Sequence, residues 1–136
     1  MANKVYPSYK AACMSGGPAT NLLTGNVKAL MVDTGAYTYD DADEFLADIP
    51  SGAVIATSGN LGGKSVSALA AFKSANARWD GVTGVSVEAV VLIIDTGSRA
   101  SSRLVAYWDT GVTGLPVTPS GESFNGLPDS GGWFIL

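Results

Sequence analysis

The chain has 136 residues, 46% of them apolar, which suits one domain with a core that hides about two thirds of its unfolded-state surface. Only 15% is charged, with 8 Lys+Arg against 12 Asp+Glu and a net charge of −4, so the basic face that nucleic acid demands is missing. There is no His and a single cysteine, Cys13, which excludes Ser-His-Asp and Cys-His nucleophiles, His-ligated zinc and an internal disulfide.

Gly, Ser and Thr occupy 17, 14 and 10 positions, the composition of a turn-rich β protein whose exposed faces carry hydroxyls rather than ions. In chain order, Met1 to Pro7 lacks the apolar core of a signal peptide, and no apolar run reaches the roughly 18 residues of a membrane span. The expectation is synthesis in the cytoplasm without export by that route. Ser8 to Met14 predicts a short helix stopped by Gly16-Gly17-Pro18. Cys13 on it reads as a small buried hydrophobe. Lys28 to Val32 predicts a buried strand ending at Asp33-Thr34-Gly35. Asp40, Asp41, Asp43 and Glu44 suit the start of a short helix with Phe45 and Ile49 on one face, ended by Pro50.

A strand follows at Ala53 to Thr57, then a loop at Gly59 to Gly63. Ser65 to Phe72 alternates imperfectly and reads as a strand, although Ala68, Ala70 and Ala71 also allow helix, and Ala75 to Trp79 reads as another strand. Val85 to Ile94 is the strongest strand, apolar on one face at its start and on both at its end, as in a long central strand. Arg103 to Trp108 predicts a strand with Leu104, Ala106 and Trp108 on one side. The Gly/Pro-rich segment of about 111–136 closes on Trp133-Phe134-Ile135-Leu136, which should add a last strand or be buried by a neighbouring subunit. Roughly seven strands without β-helix-β alternation predict an all-β domain, an antiparallel β-sandwich or barrel with one or two short helices. It is read as a single domain over 1–136, with an N-terminal arm of about 1–24.

The tripeptide Asp-Thr-Gly occurs at 33–35, 95–97 and 109–111, each time after an apolar run. It reads as a strand-ending turn, because Asp bonds backbone N–H groups two residues on. The chemical alternative is an aspartic protease. Leu30-Met31-Val32-Asp33-Thr34-Gly35-Ala36 resembles the active-site strand of retroviral-type proteases, homodimers in which two aspartates, here Asp33, activate a water. The pattern departs at Ile93-Ile94-Asp95, where that family needs Gly after the apolar pair. Asp40 to Glu44 offers oxygen ligands for Ca²⁺ but lacks the alternation and central Gly of an EF-hand loop. Gly63-Lys64-Ser65 ends like a P-loop, yet Ser58 stands where the first Gly belongs. No residue set predicts catalysis, a metal or a cofactor. The aromatics are not interleaved with basic residues, as base stacking would need. Tyr6, Tyr9, Trp133, Phe134, Ile135 and Leu136 are the candidate subunit contacts, against plain packing within the domain.

Read whole, four segments carry a resemblance: Val27 to Thr34, Glu44-Phe45-Leu46-Ala47-Asp48-Ile49-Pro50-Ser51-Gly52-Ala53, Glu88 to Gly97, and Leu104 to Thr110 followed by Thr113-Gly114-Leu115-Pro116-Val117-Thr118-Pro119-Ser120-Gly121. Together they resemble small virion structural proteins of tailed bacteriophages over roughly residues 25 to 121. The resemblance implies a non-enzymatic capsid decoration (cement) protein. Such a protein clamps the major capsid protein on the outside of the virion, assembles in the host cytoplasm, and works as a homo-oligomer, expected to be a trimer. A tail- or fibre-associated host-binding module is the alternative, and the homodimeric protease ranks third.

Overall fold

The most apolar run of the sequence, Ala89–Asp95, becomes the middle strand of the largest sheet, where six consecutive side chains are buried and only Asp95 is partly exposed. The computed structural model describes residues 4–110, 115–126 and 133–135. In chain order the elements are β1 (Lys4–Val5), α1 (Pro7–Ser15), β2 (Asn26–Val32), β3 (Val54–Thr57), β4 (Ser65–Val66), β5 (Ala71–Lys73), β6 (Ala77–Trp79), β7 (Ala89–Asp95), β8 (Arg103–Trp108), β9 (Phe124–Gly126) and β10 (Phe134–Ile135). A five-stranded sheet runs β1-β8-β7-β2-β3, with smaller sheets β10-β5-β4 and β6-β9, and every pairing is antiparallel. The protein is an all-β domain with one short α-helix. Among the described residues no pairing joins β1 to β3, so no barrel is closed.

Directly opposed residues of an antiparallel pair share a face. The register Val27↔Ile94, Ala29↔Leu92, Met31↔Val90 and Val90↔Trp108 therefore defines one face of the large sheet. Leu30↔Val91, Val32↔Ala89 and Val91↔Tyr107 define the other. Each face meets its own aromatic layer. Trp108 packs on Trp133 beside the β10-β5-β4 sheet, with ring centroids 5.5 Å apart. On the same side Trp79 Nε1 donates to the Ala29 carbonyl at 2.9 Å. Tyr107 packs on Tyr37 and Tyr39 of the loop after β2, at 6.3 and 5.1 Å. Covering both faces is why β7 carries no polar alternation.

Several expectations change in detail. Leu104, Ala106 and Trp108 do not share one side: a bulge beside Leu92 and Ile93 sets Leu104 opposite Ile93 and Ala106 opposite Leu92, which lie on opposite faces. Ser65 to Phe72 is not one strand but a hairpin, because the Ser67 hydroxyl accepts the N–H groups of Leu69 and Ala71, both at 3.2 Å, and folds the chain back. The segment after Glu44 forms two 3₁₀ turns, Leu46–Asp48 and Ser51–Ala53, in place of a helix. The Asp48 carboxylate takes the N–H groups of Glu44 and Phe45 at 2.8 and 3.1 Å, and Pro50 allows no further turn of helix. Helix α1 forms where expected. Pro7 starts it, and Gly16 at φ 71° ends it, while the Gly17 N–H bonds the Ala12 carbonyl at 2.8 Å.

The sheet is tied to its loops through Arg103, the first residue of β8, which is 2% exposed. Its Nε donates to the Pro18 carbonyl at 2.9 Å, its Nη1 meets Glu44 Oε1 at 3.4 Å, and its guanidinium lies 4.8 Å from the Phe45 ring centre. Removing it strips the Pro18 carbonyl of its donor and empties the buried space under Phe45. Arg103→Ala is therefore expected to lower stability by about 3 kcal/mol in urea denaturation. Glu44→Gln should cost under about 1 kcal/mol, because the Glu44 side chain is 50% exposed. Equal losses for the two variants would contradict this division.

Candidate functional site

Of the expected contact residues, two are turned inward. Tyr6 is 0% exposed and Tyr9 is 2% exposed, so neither offers surface to a partner. This corrects the expectation, and the cause is hydrogen bonding of both phenols inside the chain. Tyr6 OH bonds Tyr37 OH at 2.9 Å, and Tyr9 OH donates to the Thr20 carbonyl at 3.0 Å. Trp133 and Phe134 are half-buried. The Trp133 N–H donates to the Phe72 carbonyl at 2.7 Å and its indole Nε1 to Ser74 Oγ at 2.6 Å. The Phe134 ring meets Phe72 at 5.8 Å and Tyr9 at 6.5 Å. Ile135 stands opposite Ala71 in the β10-β5 pair. Leu136 lies outside the described residues. The aromatic segment thus adds the last strand to a sheet of its own chain, one of its two expected fates.

The Asp-Thr-Gly copies at 33–35 and 95–97 act as turns. Asp33 Oδ1 accepts the Gly35 N–H at 2.8 Å, and Asp95 Oδ1 accepts the Gly97 N–H at 2.9 Å. Thr34 directs both its N–H and its hydroxyl to Glu88 Oε1, at 3.1 and 3.0 Å, which fastens the first turn to the start of β7. Thr96 N–H donates to Ser102 Oγ at 3.0 Å, fastening the second to the start of β8. At the third, Asp109 accepts the hydroxyls of Thr110 and Tyr107 at 2.9 and 3.2 Å, and Gly111 lies outside the described residues. Gly63-Lys64-Ser65 runs into strand β4 rather than a helix, and Lys64 Nζ donates to the Gly25 carbonyl. A phosphate-binding role has neither its helix nor its free lysine here.

The acidic stretch is likewise engaged. Asp41 accepts Lys4 Nζ at 3.0 Å and Tyr39 OH at 2.9 Å, and Asp43 accepts Tyr37 OH at 2.6 Å. Among the described residues no group of three or more Asp, Glu or Cys converges on a metal-sized site. Beside this stretch lies a recess of about 340 Å³ lined by Thr34, Tyr37, Thr38, Tyr39, Glu88, Tyr107, Asp109 and Thr110. Burial drives the phenols of Tyr6, Tyr37, Tyr39 and Tyr107 far above their ordinary range, so they stay neutral hydrogen-bond donors. Burial also raises the Asp43 carboxyl, although the Tyr37 hydroxyl pulls the other way. Glu88 Oε2 is buried and has no hydrogen-bond partner among the described residues, while its Oε1 holds Thr34. The phenols and carboxylates here are bonded to one another, which makes a stiff polar layer.

A different feature escaped the sequence. Leu69 is 81% exposed and Val66 47% exposed, both on the β4-β5 hairpin. The hairpin tip is rigid: besides the two Ser67 hydroxyl contacts, the Ser67 N–H bonds the Ala71 carbonyl at 3.0 Å and the Ala70 N–H bonds the Ser67 carbonyl at 2.9 Å. Leu69 is therefore held out in water by a built turn. Ala68, Ala70 and Ala71 around it hid the signal, since an Ala-rich run has no clear period.

The Lys28–Asp95 pair bridges β2 and β7 at 2.7 Å, with both side chains about a quarter exposed. Lys28 beside it, with help from the Gly97 N–H and the Ser102 hydroxyl, holds the Asp95 carboxyl below the usual carboxylate range. A depressed carboxyl contributes stability that is full above the unfolded value and lost as pH falls through the folded one. Asp95→Asn is therefore expected to cost about 1–2 kcal/mol near neutral pH. The gap between wild type and variant should close as pH drops below 3.8, read from denaturation midpoints at several pH values. A gap that persists in acid would show that packing, not charge, gives Asp95 its effect.

No protein-family model matches the chain, and no curated protein resembles it significantly in sequence, so the geometry and the residues carry the functional reading.

Proposed function

We propose that the chain is a non-enzymatic structural protein of a tailed-bacteriophage virion, a decoration protein that docks on the major capsid protein at the outside of the head. The observation that carries this reading is the exposed Leu69 on a hydrogen-bonded hairpin tip, with Val66 beside it. A large apolar side chain on a fixed turn is a ready anchor, because little backbone freedom is lost when a partner covers it. The resemblance adds to it. Its segments Val27 to Thr34, Glu88 to Gly97 and Leu104 to Thr110 fall on the adjacent strands β2, β7 and β8 and their turns. The segment Glu44 to Ala53 is the loop bonded to the start of β8, where Leu46 N–H meets the Ser102 carbonyl at 2.8 Å and Leu104 N–H meets the Glu44 carbonyl at 3.1 Å. These four stretches, up to Thr110, are thus one contiguous piece of the fold. A homo-oligomer, expected to be a trimer, would multiply weak anchors into firm attachment.

Burying one Leu contributes about 1.5–3 kcal/mol, and every 1.4 kcal/mol is about tenfold in affinity. Leu69→Asp is therefore expected to reduce occupancy on purified heads by about tenfold or more. The isolated domain should keep its melting temperature, because the side chain touches little in the free chain. Copy number is the primary measurement: hundreds of copies on heads support the proposal. A few copies confined to tails would favour the host-binding module, and unchanged occupancy of the variant would remove Leu69 from the interface.

A further inference from the structure

We propose that strand β10 is exchangeable between copies of this chain, so that the socket it fills accepts the Trp133-to-Ile135 segment of a second molecule. This deepens the reading of an oligomeric clamp, on which its biological meaning rests, although the exchange itself is a property of the purified chain. The socket is built from three separate places in the fold: Tyr9 on α1, Phe72 and Ser74 at β5 and just beyond it, and Trp108 on β8. Its fit to the segment is specific, since the Trp133 indole finds a hydroxyl and two rings face Phe134.

The hold, by contrast, is short. Strand β10 has two residues, sits at the edge of its sheet, and among the described residues pairs as Phe134↔Phe72 and Ile135↔Ala71. Trp133 and Phe134 remain half-buried in place. A strand with so few contacts opens far more readily than the central sheet. Opening uncovers Phe72 and Tyr9, which are 1% and 2% exposed when it is closed, and it frees the Trp-Phe pair that covers them. The two surfaces so exposed are complementary, and closing them between two chains restores every contact of the single chain.

Chain connectivity sets when this happens. Gly126, opposite Ala77 in the β6-β9 pair, is joined to Trp133 by six residues, Leu-Pro-Asp-Ser-Gly-Gly. A tether of that length gives an effective concentration of roughly millimolar. Closure within one chain therefore dominates in dilute solution. Exchange competes where copies are crowded to a similar local concentration, as in an array on a surface.

The register supplies the probe. Paired antiparallel positions hold β-carbons about 4.5–5.5 Å apart, close enough for a disulfide after small adjustment. In a Cys13→Ser background, one preparation carries Ala71→Cys and another Ile135→Cys. Mixed at roughly millimolar concentration and mildly oxidised, they are expected to give a covalent heterodimer linked 71 to 135. Its yield should be several-fold above that from Ala71→Cys mixed with a Lys10→Cys control. Both substitutions in one chain should close as a monomer in dilute solution. A heterodimer yield no greater than the control, with the double variant closing normally, overturns exchange. Failure of the double variant to close overturns the register on which the proposal stands. The unaltered protein provides a check free of folding effects: sedimentation at the same concentration should show a slowly dissociating oligomer, and a purely monomeric species overturns the proposal. Absence of the chain from phage heads would instead overturn the decoration reading and leave the exchange result standing.

Discussion

A guanidinium taken out of water needs partners on every side, and Arg103 gathers them from stretches far apart in the chain. The Pro18 carbonyl, the Glu44 carboxylate and the Phe45 ring come from the segment before β2 and the loop before β3. Neighbouring backbone bonds complete the seam: Leu46 and Leu104 bond the Ser102 and Glu44 carbonyls, and Ala47 bonds the Arg99 carbonyl at 2.9 Å. Arg99 itself donates to the carbonyls of Leu46 and Ile49. With the loop fixed at its far end, Tyr37 and Tyr39 have one place to lie, which is against Tyr107 on the face of the large sheet.

The two faces of that sheet are closed by different chemistry. On the tyrosine face the covering layer is a loop, and a loop brings polar groups that need partners. They find one another: Tyr6, Tyr37 and Asp43 form a chain of hydrogen bonds, and Tyr39, Asp41 and Lys4 form a second. On the tryptophan face the cover is made of short strands, whose backbone groups are largely satisfied by pairing. There the side chains are chiefly aromatic and apolar, and the indole N–H groups of Trp79 and Trp133 each reach an acceptor. The same central strand thus supports a stiff polar cover on one side and a cover assembled from short strands on the other.

That asymmetry bears on function. A stiff body with an apolar side chain held out on a hydrogen-bonded turn loses little freedom on docking. The short strands that carry the turn also include β10, a two-residue strand at the edge of its sheet. Anchor and exchangeable strand therefore share one small sheet, since β4, β5 and β10 are neighbours in it. Events at the anchor and at the strand would act on the same β5.

The class of fold and the main strands were legible in the order of the residues. Val85 to Ile94 announced β7, because a strand covered on both faces must be apolar without alternation, and Arg103 to Trp108 announced β8 by a one-sided apolar pattern that the bulge breaks at Leu104. The turn role of Asp33 and Asp95 was also legible, because Asp followed two residues later by Gly forms its hydrogen bond locally. Only the tertiary structure decided which aromatics turned inward. Tyr6 and Tyr9 looked like interface residues from their position near the start of the chain, and they became core because Tyr37, far along the sequence, and Thr20, beyond the end of α1, supply partners for their hydroxyls. The burial of Arg103 was equally hidden. A charged residue at the start of a strand reads as exposed, and it is the convergence of Pro18, Glu44 and Phe45 in space that satisfies it. Leu69 lay within an unpatterned Ala-rich run, and only the hydroxyl of Ser67, by folding the chain back, turned it outward.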